Sequence, residues 1–99
     1  MNIEIPREQI EAFCRKWKIR EFALFGSVLR DDFRPDSDVD VLVEFTDDVR
    51  HTLFEIVDMQ AELARLFHRE VDIVEKAAVK NPFVRHQILR SNEVVYSAA

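Results

Sequence analysis

Gly26 is the only glycine among 99 residues. The chain therefore has one position where the backbone can turn left-handed, or let a ligand come close, without a steric penalty. The short apolar and aromatic stretch 21–25 precedes it and reads as a strand that ends there. Ser27 comes next, and a short helix is expected to start from it. Read alone, Gly26-Ser27 fits a tight turn with an N-capping serine. An anion seat, where free N–H groups, the helix dipole and the Ser27 hydroxyl face a phosphate, is the alternative that the pair alone does not favour.

Residues further along the chain bear on that choice. Ten residues separate Ser27 from Asp38, and Asp40 comes two positions later. The run 39–45 reads as a strand, so Asp38 and Asp40 share one face at its entrance. A further strand, 71–74, carries Asp72 in an apolar setting. Carboxylates on apolar strands are costly unless something satisfies them. Two or three converging carboxylates suit a hard cation such as Mg²⁺, which prefers oxygen ligands and often arrives with a substrate's phosphates.

The rest of the chain frames these residues. Pro6 suits the first turn of a helix. Ile10, Phe13, Cys14 and Trp17 come after it at helical spacing, so a first helix is expected over about 6–18. The segment 31–37 is a polar loop, with Asp31, Asp32 and Asp36 as loop and capping residues and Pro35 within it. Asp47 and Asp48 mark a turn. Leu53, Ile56, Met59, Leu63, Leu66 and Phe67 form an apolar stripe over about 52–69. Pro82 opens a last helix, and 93–96 reads as a final edge strand. The order predicts one α/β (α+β) domain over 1–99, a small mixed sheet of about four strands with helices packed against it.

Composition narrows the classes. The chain is 47% hydrophobic and 33% charged, with net charge −5, which suits one small core. Its acidity argues against nucleic acid as a direct ligand, since phosphate-gripping proteins show a basic face. The balance points to a protein or small-molecule acceptor. Cys14 is the only cysteine and reads as core packing. No stretch is long enough to span a membrane and the N-terminus lacks signal-peptide character, so a cytoplasmic location is expected. His51, His68 and His86 lack metal-ligand spacing and read as surface or half-buried. Val41 stands where an EF-hand loop over Asp36, Asp38 and Asp40 would need glycine. A Walker A loop would need a second glycine and a Gly-Lys-Ser/Thr run.

Gly26-Ser27-x10-Asp38-x-Asp40, with Asp72 on a later strand, resembles the signature of the polymerase-β-like nucleotidyltransferases. More narrowly, the chain is similar to their minimal (MNT) members. The likeness extends over nearly the whole chain, including Phe25, Arg34-Pro35-Asp36-Ser37 and Asn81-Pro82-Phe83. It implies the nucleotidyltransferase fold, with Asp38 and Asp40 as a metal pair. Asp72 would be the third carboxylate, sharing a metal and helping to deprotonate the attacking hydroxyl. Gly26 and Ser27 match the triphosphate-holding turn. Arg30 is placed to neutralise phosphate, although a solvated surface arginine fits its position equally. Family members often carry glycine where this chain has Asp31, a departure that concerns loop conformation rather than chemistry.

The resemblance implies Mg²⁺, in two ions, and a nucleoside triphosphate, ATP, as donor. It also implies a partner, a HEPN-type ribonuclease toxin, with the chain as an antitoxin that adenylylates a toxin tyrosine or binds the toxin. Two other readings stay open. One is a non-catalytic module that masks its partner, which would not need the three aspartates. The other is transfer to a small molecule such as an aminoglycoside, which usually needs more chain for the acceptor.

Overall fold

The computed structural model describes residues 3–30, 34 and 36–98. The expectations for Asp31, Asp32 and Pro35 lie outside the described residues. Helix α1 spans Arg7–Trp17 and buries Ile10, Phe13 and Cys14. It stops where Lys18 turns left-handed (φ 60°) and returns its N–H to the Cys14 carbonyl. Strand β1 then runs Ile19–Phe25, two residues earlier than the sequence pattern indicates. The left-handed turn at Lys18 releases the chain straight into pairing, with Ile19 buried opposite Phe45.

Strand β2 spans Val39–Phe45, and helix α2 spans Leu53–Phe67. A full capping box starts α2: Glu55 N–H donates to Thr52 Oγ1, and Thr52 N–H donates to the Glu55 carboxylate. Such a cap is worth about 1 kcal/mol. Strand β3 covers Val71–Glu75, α3 covers Pro82–Arg90 and β4 covers Asn92–Ser97. The sheet order is β3-β2-β1-β4. Strand β1 is antiparallel to β2 and β4, while β2 and β3 are parallel. A parallel pair needs a crossover, which α2 provides.

The two sheet faces differ sharply. Phe22 and Leu24 of β1 and Val39, Val41 and Val43 of β2 alternate onto one face, where α1 and α2 complete the core with Phe13, Met59 and Leu63. A Lys16–Glu62 ion pair (2.5 Å) ties these two helices together. Burial pushes the Cys14 thiol up to about 12, with the Glu11 charge adding to it. An unreactive core thiol results. Trp17 is half-buried against this core, and His51 sits between the Trp17 carbonyl and Glu55.

Leu53 departs from the expected stripe and is 78% exposed. It stands six residues before Met59, which at 3.6 residues per turn places it about 120° around the helix. Phe54 and Val57 are exposed beside it. The other face of the sheet carries Asp40 and Leu42. There Leu42 meets a seam lined by Val79, Ile88 and Leu89. Asn81 caps α3 by accepting from Phe83 N–H and Val84 N–H. Arg85 anchors the helix by donating to the Lys76 and Val79 carbonyls. Even so, Val84, Leu89 and Val94 stay exposed. Among the described residues no helix is long and apolar enough to cross a membrane.

Candidate active site

The candidate residues meet at one end of the sheet, where β1 finishes and β2 and β3 begin. Phe25 pairs with Asp40 across β1 and β2, and Asp40 pairs in register with Asp72 across β2 and β3. Paired residues project to the same side, from strands about 4.8 Å apart. The parallel register therefore brings together two carboxylates that are 32 positions apart in the sequence.

Gly26 comes immediately after β1 with φ +75°. A Cβ built there would lie 2.3 Å from Asp40 Oδ2. The missing side chain is thus the space that the Asp40 carboxylate occupies. Gly26–Leu29 forms a single 3₁₀ turn. Its Ser27 N–H donates to the Asp40 carboxylate, and Ser27 Oγ lies 3.4 Å from the Asp38 carbonyl oxygen, to which it donates. The turn expected to seat phosphate also positions the aspartates.

Asp40 is half-buried, whereas Asp38, Asp72 and Arg30 are exposed. Burial first, then the charges of Asp72 and Asp38, push the Asp40 carboxyl above its ordinary range. Arg30 and the Ser27 N–H pull the other way and do not fully offset them. Such a carboxyl binds its proton more readily folded than unfolded. Its contribution to stability is therefore fully present below the unfolded value of 3.8 and is lost as pH rises through the folded value. At neutral pH ionised Asp40 burdens the ligand-free fold. Asp40→Asn is expected to melt higher than wild type at pH 7, with the gap closing as the pH falls toward 3.8. A lower melting point at pH 7 would show that the Ser27 and Arg30 contacts outweigh the repulsion.

The loop leading to Asp38 is held by a residue that sequence reasoning passed over. Arg69 Nη1 donates to the Arg34 and Ser37 carbonyls, both at 3.2 Å. Ser37 N–H closes a turn onto the Arg34 carbonyl, and Val39 N–H bonds the Glu70 carbonyl. Nothing in the local pattern marks Arg69, because its partners are backbone carbonyls more than thirty positions away.

Among the described residues, no three His, Cys, Asp or Glu side chains stand close enough to hold an ion by themselves. That fits a cation held by one or two carboxylates and completed by a substrate's phosphates, the usual arrangement for Mg²⁺. The repulsion acting on Asp40 is the structural sign that a cation would be welcome there.

A four-stranded mixed sheet, with a glycine turn folded over its carboxylate-bearing end, is the architecture of a nucleotidyltransferase fold. The model of the nucleotidyltransferase domain family matches residues 6–95. The chain belongs to that family. It is similar to protein adenylyltransferase MntA of Thermococcus cleftensis, at 35% identity over 81 residues, covering 82% of this chain and 77% of the relative. Two solved toxin–antitoxin complexes share the fold. One, a crystal structure with AMP-PNP, matches at TM-score 0.76 and 19% identity, covering 95% of this chain and 75% of that one. The other, tri-AMPylated Shewanella oneidensis HEPN toxin with MNT antitoxin, matches at TM-score 0.67 and 18% identity, covering 93% and 70%.

Proposed function

We propose that this chain is a minimal adenylyltransferase, transferring AMP from ATP to a hydroxyl on a partner protein, a tyrosine of a HEPN-type toxin, and so acting as its antitoxin. The observation that carries the reading is the packing of Asp40 into the space left by Gly26, in register with Asp72. A merely structural sheet end has no use for a half-buried carboxylate repelled by the charges of two others. The names of the similar proteins support the donor and the acceptor. With ATP as donor, the reaction belongs in the cytoplasm.

Asp38, Asp40 and Asp72 would hold Mg²⁺, in two ions once the phosphates complete the site. When bound, Mg²⁺ supplies positive charge to the phosphates and eases deprotonation of the attacking hydroxyl. Gly26, Ser27 and Arg30 orient the triphosphate. Asp72, an exposed carboxylate facing Asp40 across the β2–β3 pair, helps to take the hydroxyl proton. The acceptor oxygen bonds to the α-phosphorus, the bond from that phosphorus to its bridging oxygen breaks, and pyrophosphate leaves.

The direct test co-expresses the chain with its partner toxin, supplies labelled ATP and Mg²⁺, and maps the label by mass spectrometry. Label on a partner tyrosine is expected; an unlabelled partner would refute transfer. Binding is tested separately by melting. A ligand at about a hundred times its Kd adds roughly 2.7 kcal/mol to the fold. Each ~1 kcal/mol moves Tm by about 4–8 °C in a domain of this size. Mg²⁺-ATP at millimolar concentration is expected to raise Tm by several degrees or more, beyond Mg²⁺ alone. An unchanged Tm would count against the site.

A further inference from the structure

A cleft of ≈ 720 Å³ lies between the Gly26 turn and α3. Leu29 and Arg30 line it on one side, and Val84, Gln87, Ile88 and Arg90 on the other. The chain as a whole carries net charge −5, yet this cleft has two arginines and, among the described residues that line it, no carboxylate. Arg90 has no ion-pair partner among the described residues.

A cation in the last turn of a helix is often explained by the helix dipole. Here the Asn92 amide already donates to the Ile88 and Leu89 carbonyls, both at 3.0 Å. Arg90 is left to serve the cleft. The topology agrees, because α3 ends and β4 begins beside the end of β1, with Asn92 paired to Phe25.

We propose that this cleft receives the outer, β and γ phosphates of the nucleotide, and that Arg90 is the second guanidinium holding them, opposite Arg30. Gly26 is the shared wall. Its backbone borders the cleft, while the space where its Cβ would stand belongs to Asp40. A triphosphate whose α-phosphate lies at the carboxylates reaches the cleft by passing that turn. Guanidinium forks bind phosphate oxygens in pairs, so Arg90 fixes the leaving pyrophosphate as well as adding charge.

The inference rests on the reading of the chain as an ATP-using transferase, and its test separates the two. Binding of Mg²⁺-ATP and of inorganic tripolyphosphate is measured by calorimetry for wild type and three variants. Arg90→Ala is expected to weaken both ligands by about tenfold, the effect of losing one charge-assisted contact. Val84→Glu, which puts a carboxylate at the cleft wall, is expected to weaken both at least as much. Arg65→Ala, an equal charge loss on α2 across the sheet, is expected to change neither. All of these positions are exposed, so unchanged melting points are expected to accompany the losses. Weakened ATP with unaltered tripolyphosphate would assign the cleft to the nucleoside and overturn the proposal. So would unaltered binding of both, or an equal loss in Arg65→Ala. Wild type that binds no ATP would overturn the transferase reading itself.

Discussion

Replacing Gly26 with alanine is expected to abolish nucleotidyl transfer and to destabilise the fold at the same time. Two separate costs meet at this residue. The first is conformational: φ is +75°, and a side chain in the left-handed region costs about 1–2 kcal/mol. The second is steric, because the new Cβ would lie 2.3 Å from Asp40 Oδ2. The carboxylate is the end of a side chain and can rotate away, which limits the loss of stability. Rotation, however, takes the Asp40 carboxylate away from Asp72 and from the Ser27 N–H. A displacement of about 1 Å at reacting groups costs on the order of a hundredfold in rate. The expected result is a Tm lowered by several degrees and transfer reduced by about a hundredfold or more. A double-mutant cycle separates the two costs. In an Asp40→Ala background the steric part vanishes, and Gly26→Ala should cost only its conformational share. Wild-type transfer by Gly26→Ala would refute the placement of Asp40 against the turn.

That coupling explains why the sequence says so much about the site's composition and less about its geometry. Alternation of apolar residues over 39–45 and a lone glycine after an aromatic run mark two strand ends. The parallel register that aligns Asp40 with Asp72 is a tertiary fact. Nothing near Asp72 announces which β2 residue it will face. Local spacing places α1 and α2 to within a residue or two and finds the start of α3 at Pro82, since their caps, and the buried stripes of the first two, are local. It misjudges Leu53, where the stripe begins off the buried arc, and the start of β1, where the left-handed turn at Lys18 decides the boundary. The 3₁₀ turn Lys76–Ala78 carries no periodic signal at all. Arg69 and Arg90 are invisible for a different reason. Arg69 acts on loop carbonyls more than thirty positions away, and Arg90 lines a cleft whose opposite wall is the Gly26 turn. Side chains of that kind become legible only when the elements are placed in space.

The remaining large effect is expected from Asp38→Asn combined with Asp40→Asn. Both residues stand at the entrance of β2, and neither is among the exposed apolar residues of the chain, such as Leu89 and Val94. Exposed apolar side chains of that kind, rather than charged ones, gain most from being covered by a partner. The double variant is therefore expected to keep the partner and lose the chemistry. Its fold should not suffer, since at neutral pH it removes the Asp40 charge and the Asp38 charge that repels it without changing side-chain shape. Mutating a carboxylate that holds catalytic charge commonly raises stability as it lowers activity. Asp72→Asn should act alike, with transfer lost and the ligand-free Tm equal or higher. Were Asp72 instead needed by a salt bridge, its loss would lower Tm and spare transfer. In cells, the double variant co-expressed with the toxin is expected to co-purify with it. The toxin's mass should show no added AMP, and growth should fail. Added AMP despite the double mutation would refute the catalytic role of the pair. Full protection by both wild type and variant, with no added mass in either case, would establish that the chain neutralises its partner by covering it.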